Sequence, residues 1–196
     1  MVYQVFFIFM FLFFTILCSP AFSEDINCLM CHEAILQKKF QHAAAQMGCA
    51  TCHTAIDARD IPHKKTNNLP RGLSSELPDL CYNCHDKAEF SKKNVHMPVA
   101  GGMCGSCHNP HASNEFALLN KPLNGVCYDC HADVRRKPHA DVGHSLGDKK
   151  PVDDPARPGK RFYCGSCHNP HSSDSIRLFR YPARSAAKLC THCHKY

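Results

Sequence analysis

Apolar residues are distributed unevenly along this chain of 196 residues. Residues 5–17 form an almost unbroken apolar run, which is short for a membrane span and typical of the hydrophobic segment of a signal peptide. Ala21 and Ser23 provide the small residues that a signal peptidase requires, so we predict a signal peptide over residues 1–23. No Lys or Arg precedes Lys38, so the usual basic segment is missing. A retained N-terminal anchor, with membrane association, is therefore the alternative.

The remaining chain, residues 24–196, has few apolar runs, no Trp and many Pro, Asn, Asp and Lys residues. Good helix formers predict a helix over 33–46 and a weaker one over 86–93. Pro, Gly, Asn and charged residues predict loops over 57–80 and 145–163. A chain of this size can normally bury a core, so attached groups must supply the missing apolar surface. We expect a mainly α fold of short helices and extensive irregular loops, with little or no β-sheet.

Fourteen of the 15 cysteines form seven C-x-x-C pairs, and a histidine directly follows every pair. Two thiols at this spacing can bond to the two vinyl groups of one porphyrin, while the adjacent imidazole binds the iron. Zinc sites and redox dithiols also use C-x-x-C, but neither requires a histidine after every second cysteine. The odd residue, Cys18, would leave with the signal peptide. We predict seven covalently attached haems c, numbered 1–7 in chain order.

The predicted attachment residues are Cys28, Cys31, Cys49, Cys52, Cys81, Cys84, Cys104, Cys107, Cys127, Cys130, Cys164, Cys167, Cys190 and Cys193. The predicted proximal iron ligands are His32, His53, His85, His108, His131, His168 and His194.

The stretch CGSCHNPH occurs at 104–111 and again at 164–171, each time with a second histidine three residues past the first. That second histidine stays on the same side of its own porphyrin, so His111 and His171 are expected to bind the iron of a neighbouring haem. His192 lies inside the last C-x-x-C, where the short loop points it away from the iron. The seven remaining histidines match seven distal positions: His42, His63, His96, His111, His139, His144 and His171.

Three paired-haem units are expected over 42–85, 96–131 and 139–194. We expect them to use all of these distal histidines except His139, which is left for the leading haem at 28–32. A histidine from a neighbouring subunit is the alternative ligand for that haem. Four methionines could also bind iron, although packing against porphyrin is the simpler role: Met30, Met47, Met97 and Met103.

The repeated CGSCHNPH, the HMPV at 96–99, and the CYNCH and CYDCH motifs resemble the doubled-CxxCH family of multihaem cytochromes c. The first unit departs from this pattern because it lacks CHxPH, and His63 stands ten residues after His53 instead. The resemblance covers most of residues 24–196. It implies an exported electron carrier with bis-histidine haems, in a respiratory chain that reaches the cell surface or metal oxides.

The formal charge of +6 would suit an anionic partner. Each oxidised bis-histidine haem adds about one negative charge, since two propionates outweigh the ferric centre. The excess of Lys and Arg therefore mainly compensates propionates, and without a compact basic patch with interleaved aromatics nucleic acid is not an expected partner.

Electron transfer is the expected function, and no catalytic residue is predicted, because the histidine supply closes every iron. A reductase of a small oxyanion or nitrogen oxide would need one open iron, and it remains the alternative, as does a subunit of a polymeric haem wire. The expected partners are redox proteins: other cytochromes, a quinol-oxidising membrane complex or an outer-membrane conduit. The expected location is the periplasm, with the cell surface or extracellular space as alternatives.

Overall fold

The computed structural model describes residues 26–135, 144 and 152–195. The predicted signal peptide and His139 lie outside the described residues. Within this part of the chain, no helix is long and apolar enough to cross a membrane.

The described α-helices are four to six residues long, and most of them lie in or beside a C-x-x-C-H motif. They are α1 (Leu29–His32), α2 (Ala43–Gln46), α3 (Asp79–Tyr82), α4 (Met97–Ala100), α5 (Leu123–Tyr128), α6 (Cys164–Cys167) and α7 (Ala186–Cys190). Short 3-10 turns alternate with them at Glu33–Ile35, Cys49–Thr51, Pro70–Gly72, Lys87–Phe90, Cys104–Ser106, Phe116–Leu118, Ala132–Arg135 and Ile176–Leu178.

Extended structure in the described ranges amounts to three antiparallel pairs of two-residue strands, besides isolated bridges. Strand β1 (Phe40–Gln41) pairs with β5 (Ala112–Ser113), β2 (Ile56–Asp57) with β3 (Lys64–Lys65), and β4 (Asn94–Val95) with β6 (Ser172–Ser173). Two of these pairs join residues more than 70 positions apart, so they tie the units together. The predicted fold class, short helices among loops with little sheet, is confirmed.

The predicted continuous helix over 33–46 is wrong. The segment forms the turn Glu33–Ile35, then β1, then α2, with His42 extended between the strand and the helix. Its residues have good helix propensity, but pairing with β5 across the molecule outweighs that weak local preference. Over 86–93 the structure has only the single 3-10 turn Lys87–Phe90, where the Asp86 carboxylate accepts a hydrogen bond from the Ala88 N–H.

The polypeptide has almost no apolar core of its own. Among the described residues only five apolar side chains are buried, and three of these are alanines: Ala55, Ala112, Phe162, Phe179 and Ala183. Large apolar side chains are instead exposed, with Met30, Met97 and Ile61 each at least 80% exposed. Exposed apolar surface on this scale marks a place where something else binds. The positions beside the cysteine motifs are consistent with porphyrin as the covering group.

Candidate haem-ligation sites

Histidine rings face one another in pairs across the described structure. The ring centroids are 5.9 Å apart for His32 and His63, 6.1 Å for His85 and His42, 6.1 Å for His53 and His111, 5.9 Å for His108 and His171, 6.1 Å for His131 and His96, and 5.7 Å for His194 and His144. Each pair joins one predicted proximal histidine to one predicted distal histidine.

This separation fits two imidazoles that share one metal. A metal–imidazole bond is about 2 Å long and the ring nitrogen lies about 1 Å from the ring centre, so two axial imidazoles have centroids about 6 Å apart. Direct stacking would bring the rings much closer, as between Tyr181 and His192, whose centroids are 3.6 Å apart. The residues present therefore fit a haem iron between each pair.

The pairing corrects one assignment made from the sequence. His63 faces His32, so the leading haem has its distal candidate in the following unit and does not depend on His139. Sequence spacing missed this because a histidine ten residues past His53 has no fixed direction. The loop between His53 and His63 reverses at the β2–β3 pair, and His63 directly precedes β3.

The second histidine of CHNPH lies away from its own motif. His111, which follows Cys107–His108, faces His53 of haem 2, and His171 faces His108 of haem 4. Burial lowers the pKa of both His111 and His171, which favours the neutral imidazole that binds metals.

Two of the remaining histidines have other surroundings. His192 stacks on Tyr181, at 18° between the ring planes. His168, the proximal candidate of haem 6, lies 5.4 Å from the Phe179 ring.

Backbone carbonyls orient many of these imidazoles through the ring nitrogen Nδ1. Among the proximal candidates, His53, His108 and His168 contact the carbonyls of Arg71, Ala117 and Arg177 at 3.0, 2.8 and 2.8 Å. A carbonyl can only accept a hydrogen bond, so Nδ1 donates the proton. The other nitrogen, Nε2, is then left as the ligand atom.

The distal candidates repeat this device with different acceptors. Nδ1 of His42, His63 and His96 lies 2.8, 2.7 and 3.0 Å from the carbonyls of Pro110, Asp60 and Pro170. Two of those acceptors are the prolines of the CHNPH motifs. The carbonyl of the CHNPH proline in one unit therefore orients the first distal histidine of the unit before it.

The acceptor carbonyls of the proximal histidines lie on unusual turns that the sequence reading missed. Arg71, Ala117 and Arg177 have φ of 55°, 54° and 54°, a left-handed conformation that is uncommon for residues with a side chain. The first unit has this turn too, although it lacks CHxPH. The acceptor residue stands nine positions after the proximal histidine in the two later units and eighteen after it in the first. The shared spacing of the later units was the available signal, and no glycine marks the turn there.

Strand pairing sets two distal histidines side by side. The N–H of His42 donates to the carbonyl of His111 at 2.8 Å, next to the β1–β5 pair. The N–H of His96 likewise donates to the carbonyl of His171 at 3.0 Å, next to β4–β6. Each strand pair thus places the distal candidates of two consecutive haems at one point.

The motif cysteines also meet in pairs, and none of the fourteen forms a disulfide. The thiols of Cys28 and Cys49 are in hydrogen-bonding contact. Burial, and then contact with Cys104, raises the pKa of Cys81 to about 11. A hydrogen bond with Cys164 lowers the pKa of Cys127 to about 7. In all three pairs the first cysteine of one motif meets the first cysteine of the next.

The zinc alternative finds no support in the part of the chain that is described. A structural zinc site brings four ligands together. No group of three or more His, Cys, Asp or Glu side chains in the described ranges could hold a metal ion.

Short helices among loops, C-x-x-C-H motifs in contact and paired imidazoles with the spacing of axial ligands together define a multihaem c-type cytochrome with covalently bound haem c. The chain belongs to the doubled CXXCH motif family, which matches residues 41–90, 96–136 and 154–196.

Two named cytochromes are similar to parts of the chain. Multiheme cytochrome MtrA of Shewanella baltica is 32% identical over 119 residues, which cover 57% of this chain and 33% of that protein. Cytochrome c-type protein NrfB of Escherichia coli is 25% identical over 134 residues, covering 60% of this chain and 70% of that protein. The chain therefore matches about a third of the length of the first relative.

Proposed function

We propose that the protein is an electron carrier with seven haems c, each held by two histidines. The observation that carries this proposal is the set of six proximal–distal imidazole pairs with centroids 5.7–6.1 Å apart. An iron with two protein ligands has no open position for a substrate, so this arrangement favours electron transfer over reduction of a small molecule.

The seventh ligand pair follows by elimination. Six distal candidates face six proximal histidines, and His192 stacks on Tyr181. The only histidine of the sequence left to complete haem 6 is His139. We therefore assign His139 to the iron of His168, in place of the leading haem.

The proposed haem order follows the chain from 1 to 7. Contacts between first cysteines support neighbouring sites for haems 1 and 2, 3 and 4, and 5 and 6. The His42–His111 and His96–His171 backbone bonds support proximity of haems 2 and 3, and of 4 and 5. The stacking of His192 on Tyr181 holds the haem 7 motif against the strand-and-turn segment that follows the haem 6 motif.

When bound, haem c supplies a one-electron ferric/ferrous couple. The chain's own contribution is positional: adjacent attachment cysteines, shared strand pairs and carbonyl-oriented imidazoles hold seven sites in a fixed row. The proposed partners are other redox proteins, a quinol-oxidising membrane complex or an outer-membrane conduit among them. The proposed location is outside the cytoplasmic membrane, after removal of residues 1–23.

Two measurements on the purified protein test this proposal. The intact mass should equal a chain that starts at Glu24 plus seven haems. The electron paramagnetic resonance spectrum of the oxidised protein should contain seven low-spin ferric centres and no high-spin centre. Six haems would contradict the count of seven, whereas a high-spin iron that binds a small anion would contradict the electron-carrier proposal and favour a reductase.

Single variants test the assignment of the two corrected ligands. His63→Ala should convert haem 1 to high spin, and His139→Ala should convert haem 6, with all seven haems still attached. Adding Cys28→Ala and Cys31→Ala to each variant identifies the site, because removing haem 1 should abolish only the high-spin signal caused by His63→Ala. A high-spin signal of His139→Ala that disappears with haem 1 would restore the assignment made from the sequence.

A further inference from the structure

The last unit contains an additional segment between its distal histidine and its first motif. Seven residues separate His42 from Cys49 and eight separate His96 from Cys104, counted as differences in number, but twenty separate His144 from Cys164. The described part of this insertion, residues 152–163, is called the insertion loop below. A dozen extra residues in one of three otherwise similar units calls for a role specific to that unit.

The insertion loop has a defined backbone structure. The N–H of Phe162 donates to the carbonyl of Val152 at 2.8 Å, and the N–H of Asp154 donates to the carbonyl of Lys160 at 2.8 Å. Gly159, at φ 74°, makes possible the tight turn between the two segments that these hydrogen bonds join. The two ends of the loop are therefore held together, and its last residues reach the haem 6 motif.

A buried ionic cluster fixes the loop to that motif. Asp154 is 4% exposed, and its carboxylate accepts a hydrogen bond from Arg157 Nε at 2.7 Å. The same guanidinium donates to Ser166 Oγ at 2.9 Å, inside the C-x-x-C of haem 6. Ser166 is 5% exposed, whereas Ser106, the same position of the preceding unit, is exposed. The cluster is thus specific to the unit that contains the insertion.

The loop ends on the distal histidine candidate of haem 7. The buried ring of Phe162 stacks on His144, with centroids 5.0 Å apart and 19° between the planes. His144 faces His194 at 5.7 Å. The aromatic ring therefore restricts both the position and the rotation of this imidazole.

We propose that the insertion loop is a clamp that positions His144 as the distal ligand of haem 7. Phe162 is the positioning residue, and the Asp154–Arg157–Ser166 bonds hold Phe162 in place. This inference rests on the proposed function, because it requires that His144 bind the iron of haem 7. Orienting groups behind a ligand affect its bond to the metal, so the clamp sets the spectrum and potential of one haem of the seven.

The test compares five variants of the complete seven-haem protein. His144→Ala first identifies haem 7 as the centre that loses its low-spin signal. Phe162→Leu, which keeps apolar volume but loses the ring, should change the g-values of that same centre, shift its reduction potential and let reduced protein bind carbon monoxide at one site. Ser166→Ala should do the same to a smaller extent. Ser106→Ala, the matched control in the preceding unit, should leave all seven centres as in the parent.

Phe162→Tyr keeps a stacking ring and should retain the parent spectrum of haem 7. A folded Phe162→Leu protein in which only haem 6 changes, or in which no centre changes, would overturn the clamp. If His144→Ala itself leaves seven low-spin irons, the ligand assignment within the proposed function fails. The two failures are therefore distinguishable.

Discussion

A histidine in this protein acquires its role from what its two ring nitrogens face. In His53 and His108, Nδ1 donates to a backbone carbonyl of the same unit, which leaves Nε2 for the iron. In His42 and His96, Nδ1 donates to the carbonyl of the CHNPH proline in the following unit. Of each imidazole pair proposed for haems 2 to 5, one ring is thus held by a carbonyl, alternately the proximal and the distal candidate. Such bonds raise the basicity of the ligand and fix its orientation.

At the scale of the residue, His111→Ala should convert one iron to five-coordinate high spin. The affected centre should be haem 2, attached to Cys49 and Cys52, because His111 faces His53 and not His108. All seven haems should stay attached, and the reduced protein should bind about one carbon monoxide molecule per chain, which optical and paramagnetic resonance spectra would measure.

The matched control is His192→Ala, which should leave every centre low-spin because that ring stacks on Tyr181. Low-spin, carbon-monoxide-inert irons throughout His111→Ala would refute the reading of the second histidine in CHNPH.

The recurring element is a left-handed turn that follows the opening motif of each unit. In the first unit it comprises Arg71 and Gly72, with φ of 55° and 62°. The two later units place pairs of residues with side chains in the same conformation, Ala117–Leu118 and Arg177–Leu178. Such residues cost roughly 1–3 kcal/mol each, so surrounding contacts must maintain the turn. This turn directs a backbone carbonyl at Nδ1 of the proximal histidine and so orients its ring.

At the scale of this element, Gly72→Ala should disrupt the first unit. An added Cβ would lie 2.5 Å from the Ala55 carbonyl oxygen, on a residue with positive φ. We expect a loss of roughly 1–3 kcal/mol in the free energy of unfolding, together with a changed spectrum of haem 2.

Gly125→Ala, in helix α5, is the control. The added Cβ would make only ordinary contacts there, at 3.6 Å or more. Chemical denaturation of both variants measures the difference. Equal stabilities would show that the turn tolerates a side chain at Gly72.

The stability that the insertion loop contributes should depend on pH, because it depends on the ionisation of Asp154. Burial opposes ionisation of this carboxyl, but hydrogen bonds from Ser166 and Arg157 outweigh it, so its pKa lies below the usual 3.8. A lowered pKa means that the ionised form stabilises the fold above the usual value, and that this contribution is lost as pH falls through the lowered pKa.

Asp154→Asn should therefore reduce the free energy of unfolding by about 2 kcal/mol at neutral pH. The difference from the parent should narrow as the pH falls below 4, which denaturation curves at a series of pH values would show. A difference that is independent of pH would mean that the carboxylate charge contributes nothing to the loop.

At the scale of the whole molecule, charge is divided between the two ends of the row. Residues 26–135 contain eleven Lys and Arg against ten Asp and Glu, whereas residues 152–195 contain eight against three. Five oxidised haems make the first stretch net negative, while two leave the second net positive, if each adds about one negative charge. Arg177, Arg184 and Lys188 are exposed in the positive part.

This polarity predicts that an anionic oxidant takes electrons at the haem 7 end. The rate of oxidation by ferricyanide should fall with rising ionic strength, because salt screens the attraction. Arg184→Glu combined with Lys188→Glu should lower that rate several-fold at low salt. Stopped-flow measurements at several salt concentrations check the expectation.

The control is Lys38→Glu combined with Lys39→Glu, which changes the same charge near the haem 1 end and should have little effect on the ferricyanide rate. If both double variants slow the oxidation by ferricyanide equally, the net charge alone governs the reaction. The haem 7 end then has no special role in it.

The sequence by itself determined the attachment chemistry of this protein. Each C-x-x-C-H motif spans five residues, so its two thiols and its imidazole are close in any conformation, and seven repeats identify the class. The distal candidates could be named by counting, since seven histidines remain for seven open positions once His192, inside the last C-x-x-C, is set aside.

Only the tertiary structure decided which distal candidate faces which proximal candidate. His111 and His53 are 58 positions apart in number, yet their rings face each other. The pairing of β1 with β5 holds the segment of His111 beside that of His42, about 70 positions away. His63 faces His32 at the end of a loop that the β2–β3 pair reverses, an arrangement that local composition does not encode. Contacts within a motif are fixed by covalent geometry, whereas contacts between motifs depend on backbone pairing between distant segments, which residue spacing along a chain does not specify.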